Sequence, residues 1–266
     1  MLQRANAMAE SLHSGYLGAY TVKLDPRFAI ERHVAAHGVW EPETLTVIRA
    51  LVGAGDRCVD VGANCGFHTL AMAKQVGREG RVIAFEPNAL TFGRLVDNVN
   101  MNAGLRDVVH CEKMGLGDAD RVMHVYQDGA HNVGNAYLAR EATPALSDVP
   151  ADSYELCLVT TLDGYLGDRR IDFLKIDVEG MEDAVLGGAL RTLAAWRPTI
   201  WFETHLACFE HEAIRRAEAI LREVGYTLFR VEADGRLAPA AYPDLPINTL
   251  ALHPTRLQTT PVRVAG

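Results

Sequence analysis

The chain has 266 residues, 48% of them hydrophobic, enough for one large core that needs no disulfide or metal staples. Its 34 acidic and 26 basic residues leave a formal charge of −8, which argues against broad phosphate contact and so against a nucleic-acid substrate. The five cysteines, Cys58, Cys65, Cys111, Cys157 and Cys208, are scattered with no Cys-x-x-Cys pair; with no leader-like N-terminus and no membrane-length apolar run, a cytoplasmic protein without a membrane partner is expected.

Leu2, Ala5, Ala9 and Leu12 recur at helical spacing and predict a short amphipathic helix over 2–14, ended by Gly15, which would cover a cofactor or mediate homodimer contact. An extended stretch over 20–24, a segment 28–36 of open type and a helix over 43–51 opened by Pro42 complete a preamble. From Val59 onward strands and helices alternate: strand 57–61, helix 67–76, strand 81–86, helix 88–103, strand 107–112, strand 171–177, helix 181–194, strand 198–203, helix 209–224 and strand 226–231. This alternation predicts an α/β fold, a doubly wound, mostly parallel sheet with helices on both faces. Residues 127–153, rich in Gly, Asn, Ala, Pro and Asp, interrupt it as a loop or hairpin placed to line an acceptor pocket. The run 247–252 follows Pro243 and Pro246 and reads as a last strand, antiparallel at the far side of the sheet. The expected division is a preamble over 1–37, one main domain over 38–252 and a tail over 253–266.

The most informative run is Asp60-Val61-Gly62-Ala63-Asn64-Cys65-Gly66, a strand that ends in Asp and passes through a Gly-rich turn into a helix. A dinucleotide turn has glycine at its middle position so that the backbone can approach a pyrophosphate, whereas Asn64 stands there in this chain. Glu86 ends the second strand, 26 residues after Asp60, at a spacing that suits a carboxylate accepting ribose hydroxyls. Asp177 and Glu179 follow a third apolar run and Glu203 ends a fourth. Carboxylates gathered at strand ends repel a pyrophosphate and attract a cationic sulfonium, so S-adenosylmethionine fits both observations.

Asp60-Val61-Gly62-Ala63-Asn64, Ala84-Phe85-Glu86-Pro87-Asn88, Thr161-Leu162-Asp163, Lys175-Ile176-Asp177-Val178-Glu179-Gly180 and the stretch from Pro198 to Glu203 occur in that order. Over roughly residues 38–205 the chain resembles the FkbM family of methyltransferases. The resemblance implies the seven-stranded, Rossmann-like class I methyltransferase fold, S-adenosylmethionine as cofactor, and methylation of a hydroxyl on a sugar or small secondary metabolite. Cys65 and His68 stand where the family often has an aliphatic and an aromatic or polar residue.

Ligands of doubly wound sheets bind beyond the carboxyl ends of the strands, which gathers Asp60, Glu86, Asp177 and Glu203 around one crevice. The expected cofactor residues are Asp60, Gly62, Ala63, Asn64, Gly66, Glu86, Asn88 and Asp177, together with Gly115 and Leu116, whose stretch resembles the one that packs on the adenine in this fold; plain core is the alternative for Leu116. Within that set Asp60 would orient the cofactor's amino group, the turn would wrap its methionine portion and Glu86 would hold the ribose. Asn88 either caps the next helix or approaches the adenine. Asp177, Glu179, Glu203 and His205 are the expected catalytic groups, with Asp177 and Glu179 having an alternative role at the N-terminus of the following helix. His68, Asn132 and Asn135 are the expected substrate contacts. A buried Lys175 requires a partner, Asp177 or Glu203. The preferred chemistry is a metal-free base, His205 or Asp177, and a divalent ion held by Asp177 and Glu203 is the alternative. Competing readings are an NAD-binding Rossmann oxidoreductase and a cofactor-binding partner subunit without chemistry.

Overall fold

The computed structural model describes residues 10–127, 136–138, 154–205 and 211–257. In chain order the elements are β1 (Ser11–Tyr16), β2 (Tyr20–Leu24), α1 (Ala29–His37), α2 (Pro42–Leu51), β3 (Arg57–Val61), α3 (Phe67–Val76), β4 (Arg81–Phe85), α4 (Ala89–Asn100), β5 (Val109–Glu112) and β6 (Gly115–Leu116). Then follow β7 (Arg121–Gln127), β8 (Ala136–Leu138), β9 (Tyr154–Thr160), α5 (Leu162–Leu166), β10 (Phe173–Ile176), α6 (Glu182–Gly187), α7 (Leu190–Trp196), β11 (Thr199–Glu203), α8 (His211–Glu223), β12 (Thr227–Val231), β13 (Leu237–Pro239), β14 (Asn248–Leu252) and α9 (Pro254–Leu257).

The main sheet runs β13-β12-β14-β11-β10-β3-β4-β5. The five strands from β5 to β11 are parallel, and β14 pairs antiparallel with both β11 and β12. Its order reverses between β3 and β10, where chain crossings diverge and open a crevice at the carboxyl ends of the strands. The last strand is antiparallel as expected, but it lies between β11 and β12 and not beyond them. The short β13 adds an edge strand to the seven expected.

Period-two alternation divides the strand residues between two cores. Cys58, Phe173, Trp201, Phe229 and Leu250 face one core with α3, while Val59, Leu174, Ile200, Leu228 and Ala251 face the other. Asp60 and Lys175 fall on the first face and are register partners across β3 and β10. Ile176 pairs with Phe202, so the next residues of each strand, Asp177 and Glu203, emerge side by side at the crevice.

Three expectations need correction. Residues 11–14 belong to β1, which forms a hairpin with β2, and 2–9 lie outside the described residues; Gly15 and Gly18 at φ +92° and +73° make the chain reverse where a helix was expected. The helix over 181–194 is two, α6 and α7, broken at Gly188, where a Cβ would lie 1.9 Å from the Gly117 carbonyl oxygen. A second sheet, β6-β9-β7-β8, occupies a stretch for which only a loop or hairpin over 127–153 is expected. Val122, Leu156 and Leu158 are exposed and opposite buried Met123, Val125 and Cys157, so apolar residues on both faces hid the alternation. Residues 128–135 and 139–153 of the insertion, with Asn132 and Asn135, lie outside the described residues.

The preamble packs onto the main core: Val22, Leu24 and Val34 share a cluster with Leu70 and Leu95. Asn98 of α4 and Asn102 just past its end accept from the backbone N–H groups of Lys23 and Thr21, each at 2.8 Å. Among the described residues no helix is long and apolar enough to cross a membrane.

Candidate cofactor and acceptor site

The turn after β3 is shaped by three left-handed residues, Gly62 at φ +77°, Asn64 at +50° and Gly66 at +91°. Asn is among the few side chains that tolerate this region, and here its Oδ1 accepts from the Cys65 N–H at 2.8 Å. Gly62 is required by crowding as well: a Cβ there would lie 1.8 Å from the Asp177 carbonyl oxygen. Every N–H from Gly62 to Gly66 is already bonded within the protein. Gly62 and Ala63 donate to the Phe85 carbonyl at 3.0 and 2.9 Å, Asn64 to Glu86 Oε2 at 2.8 Å, and Gly66 to the Ala63 carbonyl at 2.9 Å. What this turn offers a ligand is therefore carbonyl oxygen, which receives an ammonium and repels a phosphate.

Glu86, just past β4, is buried. Its Oε1 accepts from the Asn88 N–H and the Thr91 hydroxyl, each at 2.9 Å, and is filled. Oε2 accepts from Asn64 alone among these and keeps a lone pair for a hydroxyl. Burial lifts this carboxyl to about 7 against the pull of its three donors. Asn88 is buried and caps α4, its Oδ1 accepting from the Leu90 and Thr91 N–H groups at 3.0 and 3.1 Å.

These groups open onto a cavity of about 270 Å³ beyond the ends of β3, β4, β10 and β11. Of the expected cofactor residues, Gly62, Ala63, Asn64, Glu86, Gly115, Leu116 and Asp177 line it, with Phe85 and Met114 beside them. Asp60, Gly66 and Asn88 do not. Asp60 is fully buried, accepting from the Thr69 hydroxyl at 2.6 Å and standing 3.3 Å from Lys175 Nζ. It is a second partner of the lysine, beside the expected Asp177 at 3.1 Å; the alternative partner, Glu203, makes no ion pair with it among the described residues.

At the other end of the cavity lie Glu41, His68, Lys175, Asp177, Glu179 and Glu203. Lys175 Nζ donates to Asp177 Oδ2 at 3.1 Å. Burial works against the lysine's charge, but Asp177 and Asp60 more than offset it and lift the ammonium above its ordinary range. In the same way burial opposes ionisation of Asp177, and Lys175 holds its carboxyl low. Glu203 hydrogen-bonds to Asp177 and keeps the proton, because burial and the neighbouring Asp177 push it up to about 9. Glu179, in a left-handed conformation at φ +54°, reaches solvent at the cavity mouth, and partial burial with Asp177 and Glu41 nearby raises it to about 7. The helix-terminus role expected of Asp177 and Glu179 belongs to Glu182, whose Oε1 accepts from the Val178 and Gly180 N–H groups at 3.1 and 3.3 Å.

His68 is buried at 5% exposure, and its Nε2 has no hydrogen-bond partner. The Trp40 carbonyl accepts from the other ring nitrogen, and burial followed by the charge of Lys175 depresses the imidazole to about 3. His68 is thus neutral with its Nε2 lone pair free, 3.7 Å from Glu41 Oε2. His205 follows β11 but is not among the residues that line the cavity. Sequence reasoning missed Glu41, Trp40, Phe28 and Glu31, which the preamble brings to the cavity. The signal available was Glu41-Pro42 at a helix start; Glu41 sits there in a left-handed conformation at φ +40°. Among the described residues no group of three or more His, Cys, Asp or Glu side chains is arranged to hold a metal ion.

The family model of the methyltransferase FkbM domain matches residues 60–228. The AMB antimetabolite synthetase AmbE of Pseudomonas aeruginosa is 32% identical over 161 residues, 49% of this chain and 7% of that protein. Methyltransferase 1 of Beauveria bassiana is 27% identical over 142 residues, 49% of this chain and 57% of that protein. The chain thus spans a small part of the first relative and little over half of the second. A crystal structure of an FkbM methyltransferase from Methylobacillus flagellatus superposes with a TM-score of 0.53 at 19% identity, over 82% of this chain and 49% of that one.

Proposed function

The chain belongs to the FkbM methyltransferase family, and from that premise we propose that it transfers a methyl group from S-adenosylmethionine to a hydroxyl of a small molecule. The observation that carries the choice of cofactor is the turn after β3, whose five N–H groups are all bonded inside the protein. A pyrophosphate needs such donors, so this turn does not suit NAD. The residues do suit S-adenosylmethionine: Glu86 Oε2 would accept a ribose hydroxyl, Phe85, Met114 and Leu116 would pack on the adenine, and turn carbonyls would receive the amino group.

When bound, the sulfonium supplies an electrophilic methyl, and the chain's own residues align the acceptor and take up its proton. His68 Nε2 is the free base at the acceptor end. It is weak, but an alcohol's proton becomes strongly acidic as its oxygen gains the methyl, so a weak base positioned there suffices. The imidazolium formed faces Glu41 at 3.7 Å. Asp177, tied to Lys175, and Glu203, holding its proton, act as polar wall and not as the base.

The test is methyl transfer. Purified chain is incubated with methyl-labelled S-adenosylmethionine and an extract of the source cell, and label is followed into protein, nucleic acid and small molecules. Label in the small-molecule fraction, lost in His68→Phe, is expected. Label confined to macromolecules contradicts the reading.

A further inference from the structure

The acceptor end of the cavity holds more negative charge than a single sulfonium would balance. Lys175 is the one permanent cation among the described lining residues, and it already stands between Asp60 at 3.3 Å and Asp177 at 3.1 Å. Glu41 and Glu179 have no cation of their own on that wall. Both carboxylates stand on left-handed backbone, at φ +40° and +54°, a conformation that non-glycine residues rarely adopt. On the same wall the buried Nε2 of His68, 3.7 Å from Glu41 Oε2, is an acceptor without a donor. A wall of this kind presents hydrogen-bond acceptors and negative charge to whatever enters.

We propose that this end of the cavity receives a protonated amine, so that the methylated molecule is an amino-bearing alcohol whose ammonium rests between Glu41 and Glu179. This rests on the proposed methyl transfer and adds the class of its acceptor. An ammonium has donors for both carboxylates and for a hydroxyl positioned at His68, and its charge offsets the burial, and after it the neighbouring Asp177, that hold Glu41 and Glu179 above their ordinary range. A neutral sugar would satisfy the acceptors with hydroxyl donors but would leave the charge of the carboxylates unbalanced. In the methyl transfer an oxygen–carbon bond forms, the sulfur–carbon bond breaks with its electron pair left on sulfur, and the hydroxyl proton passes to His68 Nε2.

The probe is ethanolamine, titrated calorimetrically into the chain saturated with S-adenosylhomocysteine, beside ethylene glycol, which has the same length and no charge. With the wild-type chain, ethanolamine should bind at least tenfold more tightly, and Glu41→Gln with Glu179→Gln should bring the ratio near one. Glu179→Gln alone, at the exposed mouth, serves as the second variant should the double one fail to fold, and should lower the ratio at least threefold. Equal binding of the two alcohols to the wild type, or a ratio unchanged in the variants, overturns the proposal while the cofactor reading stands. Failure of S-adenosylhomocysteine itself to bind overturns the cofactor reading.

Discussion

Three protein donors are already attached to Glu86, and that determines what its loss would do. Glu86→Ala strands the Asn64 and Asn88 N–H groups and the Thr91 hydroxyl, each costing about 1–3 kcal/mol if unsatisfied. The variant should lose about 2–5 kcal/mol of stability in denaturant unfolding and, well below its unfolding midpoint, bind S-adenosylhomocysteine at least tenfold more weakly. Unchanged affinity would remove Glu86 from the site. Gly62→Val meets the Asp177 backbone at the β3–β10 junction, so it should appear as an unfolded or aggregated protein and not as a folded one with an emptied site. A soluble Gly62→Val chain with a wild-type melting midpoint would contradict that. The sequence made Gly62, Asn64 and Glu86 readable because spacing alone places them at a strand end. It could not reveal that Asp60 faces the lysine, since that depends on which strand lies beside β3. Glu41 was hidden for a related reason: nothing in a local pattern says that a residue 16 positions before the start of the motif strand at Arg57 returns to its far end.

Helix α7 shows how a motif of the family-like pattern can be structural. Asp163 accepts from the Arg191 and Thr192 N–H groups and the Thr192 hydroxyl at 2.8, 2.8 and 2.7 Å, so it caps α7 from α5 across the Gly188 break. Asp163→Ala should therefore cost about 1–2 kcal/mol by the usual magnitude of a lost cap and leave S-adenosylhomocysteine affinity unchanged; a loss of affinity without a loss of stability would assign Asp163 to the cavity instead. The elements read well where one periodicity holds over a full turn or strand, as in β3, α3, β4 and α8. They failed where apolar residues occupy both faces, as in β7 and β9, and where backbone contact at Gly188 splits a continuous helical pattern.

At the scale of the whole molecule the alternation of strands and helices was enough to specify a doubly wound sheet, while the place of β14 between β11 and β12 depends on long-range pairing that no local signal carries. The gathered carboxylates give the fold a pH signature. Glu86, Glu179 and Glu182 are raised to about 7 and Glu203 to about 9, so between the unfolded carboxylate value and these values the folded state binds more protons than the unfolded one. Stability contributed by these groups is present at low pH and lost as pH rises through 7 to 9. His68 works oppositely, its folded value near 3 lying below 6.5, but its contribution is complete above pH 6.5. The thermal midpoint should thus fall from pH 6.5 to 9, less steeply in Glu203→Gln; a midpoint that rises over this range would refute the protonated Glu203. The central claim is that this cavity is built for S-adenosylmethionine and not for a dinucleotide, and calorimetric titration of the wild-type chain with S-adenosylhomocysteine and with NAD tests it most directly. The account predicts saturation by S-adenosylhomocysteine at one molecule per chain and no heat with NAD, whereas NAD binding in the absence of any S-adenosylhomocysteine binding would contradict it.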